Sequence, residues 1–241
     1  MALYTIADLH LSYTSNKPMD IFGPQWENHA ERLRENWQKR VSPDDTVMIA
    51  GDVSWGMRID DARADLAFIE SLNGRKIISK GNHDFWWGTM KKLYEFRDSI
   101  GAKSIDFLFN NAYYADGFVI CGSRGWFPED NYSPDDEKIV NREAQRLSVS
   151  IEAGRALLAR HPGSELIVFL HYPLAYGDLK CEKLCEVVRQ NGIKRVFYGH
   201  IHMARKSMLV RQIAGAEHIL TAADFLDFDP MKVEPDPFVR V

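Results

Sequence analysis

Cysteine is scarce in this 241-residue chain: Cys121, Cys181 and Cys185 are the whole complement. An odd, sparse set argues against a disulfide framework and suits a reducing compartment. Cys181 and Cys185 lie close together, but no second Cys or Cys-His pair stands nearby to complete a four-ligand structural zinc site. The thiols are therefore expected to be free or buried. No apolar run reaches the roughly 18–20 residues that cross a bilayer. The first residues, MALYTIADLHL, have neither the basic start nor the small-residue cleavage pattern of a secretory leader. The expected location is cytoplasmic, with no membrane partner. A basic excess is lacking too: 30 Lys and Arg stand against 34 Asp and Glu, a net charge of −4. That balance disfavours nucleic acid as the partner. No internal repeat or low-complexity block stands out.

What the chain does have is enough apolar sequence, 45%, to bury a sizeable core. Short runs rich in Val, Ile, Phe and Tyr predict strands at Leu3–Ile6, Thr46–Ala50, Lys76–Ser79, Phe118–Cys121, Glu165–Leu170 and Arg195–Tyr198. Amphipathic stretches lie between them, and this alternation favours an α/β fold within one domain, residues 1–241. Apolar spacing predicts helices over Trp26 to Val41, Ile59 to Leu72 and Leu184 to Val188. The longest predicted helix, Ile139 to Leu158, opens on Ser133 as N-cap and Pro134 at its first position. Asp135, Asp136 and Glu137 follow, placed to oppose the helix dipole. Beyond Lys206, MLVRQIAG and EHILTAADFLDF read as hairpin strands.

Five of the apolar runs end in residues that bind metals. The first gives Asp8 and His10, the second Asp52, the third Asn82 and His83, the fifth His171, and the sixth His200 and His202. In open α/β sheets, sites form at the carboxyl ends of strands. Taken alone, each of these residues reads as a turn or a hydrogen-bonded structural side chain. The order is informative as a set: DxH, GD, GNHD, a lone His after a strand, then GHxH.

That set resembles the calcineurin-like metallophosphoesterase superfamily, in its bacterial phosphohydrolase branch. The resemblance spans residues 8 to 202. It implies a four-layer αββα sandwich of two mixed sheets with a dimetal site at one edge. Carried over residue by residue, one metal would take Asp8, His10, Asp52 and His202. The other would take Asp52, Asn82, His171 and His200, with Asp52 bridging. His83 would serve the leaving group as proton donor or charge stabiliser, and Asp84 would orient His83. The protein phosphatases of the superfamily carry GDxVDRG and GNHE. This chain has Gly51-Asp52-Val53-Ser54-Trp55-Gly56 and ends its third motif in Asp84, which speaks against that reading.

The chemistry supports the pattern. A phosphate ester repels hydroxide, and two dications roughly 3.5–4 Å apart would neutralise its oxygens and acidify a bridging water. Imidazole mixed with carboxylate and amide oxygen suits Mn, Fe or Zn. Imidazoles bind metal only when neutral, so occupancy and activity are expected to fall below about pH 6.

Three segments are expected to wall the pocket: Ser12 to Trp26; Trp55 with Phe85, Trp86 and Trp87; and Ser123 to Tyr132. Arg124 is the candidate for gripping a phosphate, the alternative being a pair with a structural carboxylate. Trp126 is the candidate lid residue. Trp86 and Trp87 fit either the core or a stacking wall. The reaction expected is hydrolysis of a small phosphate mono- or diester. A nuclease or a nucleotide or lipid pyrophosphatase of the same fold is the alternative, and a non-catalytic scaffold is disfavoured by the full ligand set.

Overall fold

The computed structural model describes residues 1–15, 17–127 and 133–235. Along the chain run β1 (Leu3–Ile6), α1 (His29–Arg40), β2 (Thr46–Ala50), α2 (Arg63–Ser71), β3 (Arg75–Ser79), α3 (Met90–Ser99), β4 (Ile105–Leu108), β5 (Tyr113–Ala115) and β6 (Phe118–Ser123). Then come α4 (Pro134–Leu158), β7 (Glu165–Leu170), β8 (Ala175–Tyr176), β9 (Leu179–Lys180), α5 (Glu182–Gln190), β10 (Arg195–Tyr198), β11 (Gln212–Ile213), β12 (Ala216–Leu220) and β13 (Met231–Lys232). One sheet has the order β13-β1-β2-β3-β4 and the other β11-β12-β10-β7-β6-β5, while β8 and β9 form a separate hairpin.

Period-two alternation in the strands builds the layers. In the first sheet Tyr4, Ile6, Val47, Ile49, Ile78 and Phe107 face outward into a core with Leu33, Trp37, Leu66 and Leu93 of the α1, α2 and α3 helices. Their neighbours Leu3, Met48, Ile77 and Leu108 turn the other way. They meet Phe118, Ile120, Ile167, Phe169 and Phe197 of the second sheet. The far side of that sheet, with Val119, Cys121, Val168 and Val196, packs on Leu147, Ile151, Leu184 and Val188 of α4 and α5. The fold is thus the four-layer αββα sandwich. All three cysteines are buried and free, and among the described residues no helix is long and apolar enough to cross a membrane.

Several predicted elements change shape. Trp26 ends a 3-10 turn (Pro24–Trp26), and α1 starts only after Asn28, whose φ of 50° breaks the helix there. The predicted helix from Ile59 divides into a 3-10 turn, Ile59–Ala62, and α2. The long helix keeps its predicted start, with Ser133 and Asp136 forming a reciprocal capping box. Its buried face is Val140, Glu143, Ala144, Leu147, Ser150, Ile151 and Gly154. Small and polar residues there let it lie close to β6. A Cβ on Gly154 would sit 2.3 Å from Cys121 Sγ. The tail hairpin is shorter than expected, pairing Gln212 with Glu217 and Ile213 with Ala216.

Candidate metal centre

Parallel register brings the strand ends together. Ile6 pairs with Ile49, and Ala50 with Ser79, so Asp8, Asp52 and Asn82 leave adjacent strands at one edge. In the second sheet Tyr198 pairs with Leu170, which places His171 and His200 side by side. The turns after these strands are sharp. Asp8, His10, Asp52 and His200 have φ of 60°, 46°, 51° and 69°. Such left-handed conformations cost of order 1–3 kcal/mol each in non-glycine residues and persist where surrounding structure enforces them.

The glycines of the GD, GN and GH motifs make that crowding possible. A Cβ on Gly81 would fall 2.0 Å from Asp52 Oδ1, and one on Gly199 would fall 2.3 Å from Asp8 Oδ2. Any side chain at either place would push the carboxylate out of position.

Two donor groups result: Asp8, His10 and His202; and Asp8, Asp52 and His171. Asp8 belongs to both. Asp52 Oδ2, in the second group, lies 3.5 Å from His171 Nε2 and 3.7 Å from His10 Nε2 of the first. Asn82 Oδ1 stands 2.6 Å from His171 Nε2 and 2.9 Å from His200 Nδ1. All seven sequence-predicted ligands therefore share one edge.

The hydrogen bonds orient these donors. His171 Nδ1 faces the Ala50 carbonyl at 3.1 Å, which leaves Nε2 as the lone-pair nitrogen pointing inward. Asp8 Oδ2 accepts from the His200 amide and Asp52 Oδ1 from the His83 amide. His202 Nδ1 is held by Asp224 Oδ1 at 3.0 Å, and Asp224 Oδ2 also accepts from the Met203 amide. Asp224 was not among the predicted residues. It follows β12 with no motif around it, and it reaches the site because Ala7 and Ala223 hydrogen-bond across the sheets.

The electrostatics test whether cations fit here. Asp8 is fully buried, and its Oδ1 has no hydrogen-bond partner. Burial raises its pKa well above the usual carboxylate value, and Asp52 adds repulsion. Burial likewise pushes Asp52 up to about 6. Burial lowers His171 to about 3 and His200 to about 2, and it depresses His10 strongly. These rings are neutral, and the inward nitrogen of His171 faces an amide oxygen, two acceptors in contact. His202 behaves differently. Burial pulls its pKa down, but the Asp224 bond and the Asp8 and Asp52 charges outweigh that and raise it to about 9. Its Nε2 stands 3.0 Å from His10 Nε2. Unpaired buried carboxylate and facing lone pairs are both relieved by bound cations, so the donor set fits two metal ions.

The remaining predicted residues divide. The His83 ring is half-buried against Trp55, centroids 4.4 Å apart. Asp84 does not hold the His83 ring by a hydrogen bond. Its Oδ2 accepts from the Asp52 and Gly81 amides and its Oδ1 from Val53 and Ser54 amides and Trp86 Nε1, so the buried carboxylate ties two ligand loops together. Trp86 is 2% exposed and belongs to the core with the partly buried Trp87, while Phe85 is exposed. Arg124 sits beside the centre, its carbonyl accepting from the His171 amide at 3.1 Å. Trp126 donates to Asp136 Oδ1 at 3.1 Å and its ring centroid lies 5.2 Å from that of Tyr172. Residues 128–132 of the third expected wall lie outside the described residues.

Buried carboxylates and imidazoles meeting at the carboxyl edge of an αββα sandwich are the features of a metallophosphoesterase. Residues 1–204 match the model of the calcineurin-like phosphoesterases, and the chain belongs to that family. The Gene 66 protein of Mycobacterium phage L5 is 35% identical over 78 residues, which cover 32% of this chain and only 37% of that protein. A protein of unknown function from Aquifex aeolicus superposes over 96% of this chain and 95% of its own, with TM-score 0.51 and 18% identity. The phosphopantetheinyl hydrolase of Mycobacterium tuberculosis does so over 98% and 96%, with TM-score 0.50 and 18% identity. At these identities the solved structures show a shared fold.

Proposed function

We propose that the chain, as one domain over residues 1–241, is a cytoplasmic dimetal phosphoesterase that hydrolyses a small phosphate mono- or diester. The observation that carries this is the Asp8 carboxylate: wholly buried, one oxygen unpartnered, and shared by both donor groups. Asp8, His10, Asp52 and His202 would hold one ion; Asp52, Asn82, His171 and His200 would hold the other. Bound Mn, Fe or Zn would neutralise the ester oxygens and activate water at neutral pH. The protein's part is positioning. Asp84 locks the Asp52 and Gly81 loops, Ala50 fixes the His171 tautomer, and Asp224 orients His202. His83, packed on Trp55, would serve the leaving oxygen as proton donor or charge stabiliser. Arg124 and Trp126 would contact the substrate. The three free thiols agree with a reducing compartment.

The test is a panel run on metal-analysed protein: an aryl phosphate, its bis-aryl diester, cyclic nucleotides, nucleotide sugars and single-stranded DNA. Metal-dependent turnover of a small ester is expected. Cleavage of DNA alone, with affinity falling steeply in salt, would favour a nuclease instead.

A further inference from the structure

A second site-forming cluster adjoins the metal centre. The ends of β3, β4 and β6 and the middle of α4 enclose a cleft of about 190 Å³ lined by Lys80, Arg124, Arg142, Glu143 and Arg146. Strand register puts it against the proposed ligands. Ser123 pairs with Leu170, so Arg124 is level with His171, and Lys80 stands two residues before Asn82.

The charges in the cleft are unbalanced. Glu143 is the single carboxylate among the described lining residues and is completely buried. Arg146 alone satisfies its Oε1, at 2.6 Å. Arg142 and Arg124 approach the same oxygen only at 3.7 and 4.0 Å. Lys80 makes no salt bridge among the described residues. The Nε of Arg124 is sealed from solvent and has no acceptor. Among the described lining residues, four cations around one carboxylate leave three formal positive charges, and Arg124 Nε and Glu143 Oε2 are both buried without a partner. Guanidinium groups present forked donors that match tetrahedral oxyanions. Crowding so much like charge around one cleft costs free energy that a bound anion would relieve.

We infer that this cleft is an anion subsite of the phosphoesterase, holding a second phosphate of the substrate while the first is hydrolysed at the metals. The inference rests on the phosphoesterase reading and narrows it to substrates that carry two phosphate groups. The second phosphate would sit either in a diphosphate linkage or on a separate carbon of the same molecule.

The test compares kcat/KM for phenyl phosphate, a nucleoside 3′,5′-bisphosphate and a nucleoside diphosphate, in wild type and in Lys80→Gln/Arg142→Gln. Arg142 is half exposed, so this pair spares the Glu143–Arg146 contact and the fold. The ratio of bisphosphate or diphosphate to phenyl phosphate should exceed about tenfold in wild type and drop at least about tenfold in the variant. Loss with the diphosphate alone identifies a diphosphate linkage, and loss with the bisphosphate alone identifies separate phosphates. Equal changes for all substrates, or none, overturn the subsite while leaving the phosphoesterase reading intact. If no ester is hydrolysed, the subsite is still read by melting. Inorganic pyrophosphate should raise the Tm of the metal-loaded protein saturably, metal content being checked, and the variant should lose most of that rise. An unchanged Tm in wild type, or the same rise in both proteins, overturns it.

Discussion

The metal centre has two unlike flanks. On one side Met19, Phe22, Trp26 and Trp55 surround an apolar hollow of about 160 Å³ that touches His10, His83 and His202. Lys17 caps the Trp55 ring from 3.6 Å. On the other side lies the cationic cleft of Lys80, Arg124, Arg142 and Arg146. The apolar flank extends the core between the first sheet and its helices, since Met19, Trp26 and Trp55 belong to that cluster. The cationic flank forms where the two sheets and α4 meet, around a buried glutamate. A substrate spanning both would place an apolar or aromatic portion on one side and negative charge on the other. The two flanks make opposite demands on the same ester, so their contributions are separable.

The largest effect is expected from removing what lies between them. Asp52→Ala should lower kcat by about three orders of magnitude or more for every substrate, since it takes away several kcal/mol of charge stabilisation. The fold should persist, as read by circular dichroism, while bound metal falls. A variant that retained turnover would mean the two flanks do not serve a common centre.

The next effect concerns how the centre is charged. In the metal-free protein His202 is raised to about 9, against about 6.5 for an unfolded imidazole. That proton's contribution to stability is complete below about pH 6.5 and is lost as pH rises through about 9. A cation at Nε2 must displace it, so metal affinity should rise with pH over the same window. Calorimetry at about pH 7.5 in buffers of different ionisation enthalpy should show proton release on metal uptake, smaller by about one in His202→Gln. Asp224→Asn should weaken metal binding roughly 10–100-fold, as loss of a ligand's hydrogen-bond partner does. Equal affinity in wild type and Asp224→Asn would remove Asp224 from the centre.

The flanks also differ in how far the sequence revealed them. The apolar flank and the ligands follow their strands directly, so a reader of DLH, GDVSW and GNHD reaches His10, Trp55 and His83 by counting from an apolar run. The α/β character was legible because strands such as Thr46–Ala50 are short apolar runs, buried along their whole length, set between amphipathic stretches; the four-layer arrangement came from the family resemblance. The cationic cleft draws on four separated stretches, at Lys80, Leu108–Asn110, Gly122–Arg124 and Arg142–Arg146. Arg124 stands out in the sequence as a candidate phosphate grip, but Lys80, Arg142 and Arg146 each read alone as a solvated surface charge, and Glu143 as one more exposed acid on a helix. Only the packing of α4 onto β6, set by Gly154 and Ser150, turns Glu143 inward. Asp224 was invisible likewise, because a bridge between the two sheets brings it to His202. The Trp86-Trp87 pair sits beside the motif in sequence but faces the core, since the chain reverses around Asp84.

A smaller effect separates the apolar flank from the core behind it. Phe22 lines the hollow yet is 49% exposed, so its loss costs little stability. Phe22→Ala should raise KM for an aryl phosphate by about three- to tenfold, the worth of roughly 1 kcal/mol of apolar contact. Metal content should not move. An unchanged KM for all aryl esters would leave the cationic cleft as the sole determinant of substrate.

The smallest change in KM is expected at Trp86, and it tests whether that residue belongs to the fold rather than to either flank. Its Nε1 donates to Asp84 Oδ1 at 2.9 Å, and the ring is buried. Asp84 keeps its backbone amide donors without it, so the carboxylate would stay in place. Trp86→Phe keeps most of the apolar contact and removes one hydrogen bond to a charged acceptor. Such a bond is worth about 1.5–3 kcal/mol. For a chain of this length that corresponds to a fall in Tm of roughly 3–12 °C. KM should stay within about twofold for both aryl and doubly phosphorylated substrates, a change of less than about 0.5 kcal/mol. A KM shift larger than this for aryl substrates, with Tm unchanged, would move Trp86 out of the core and into the apolar flank.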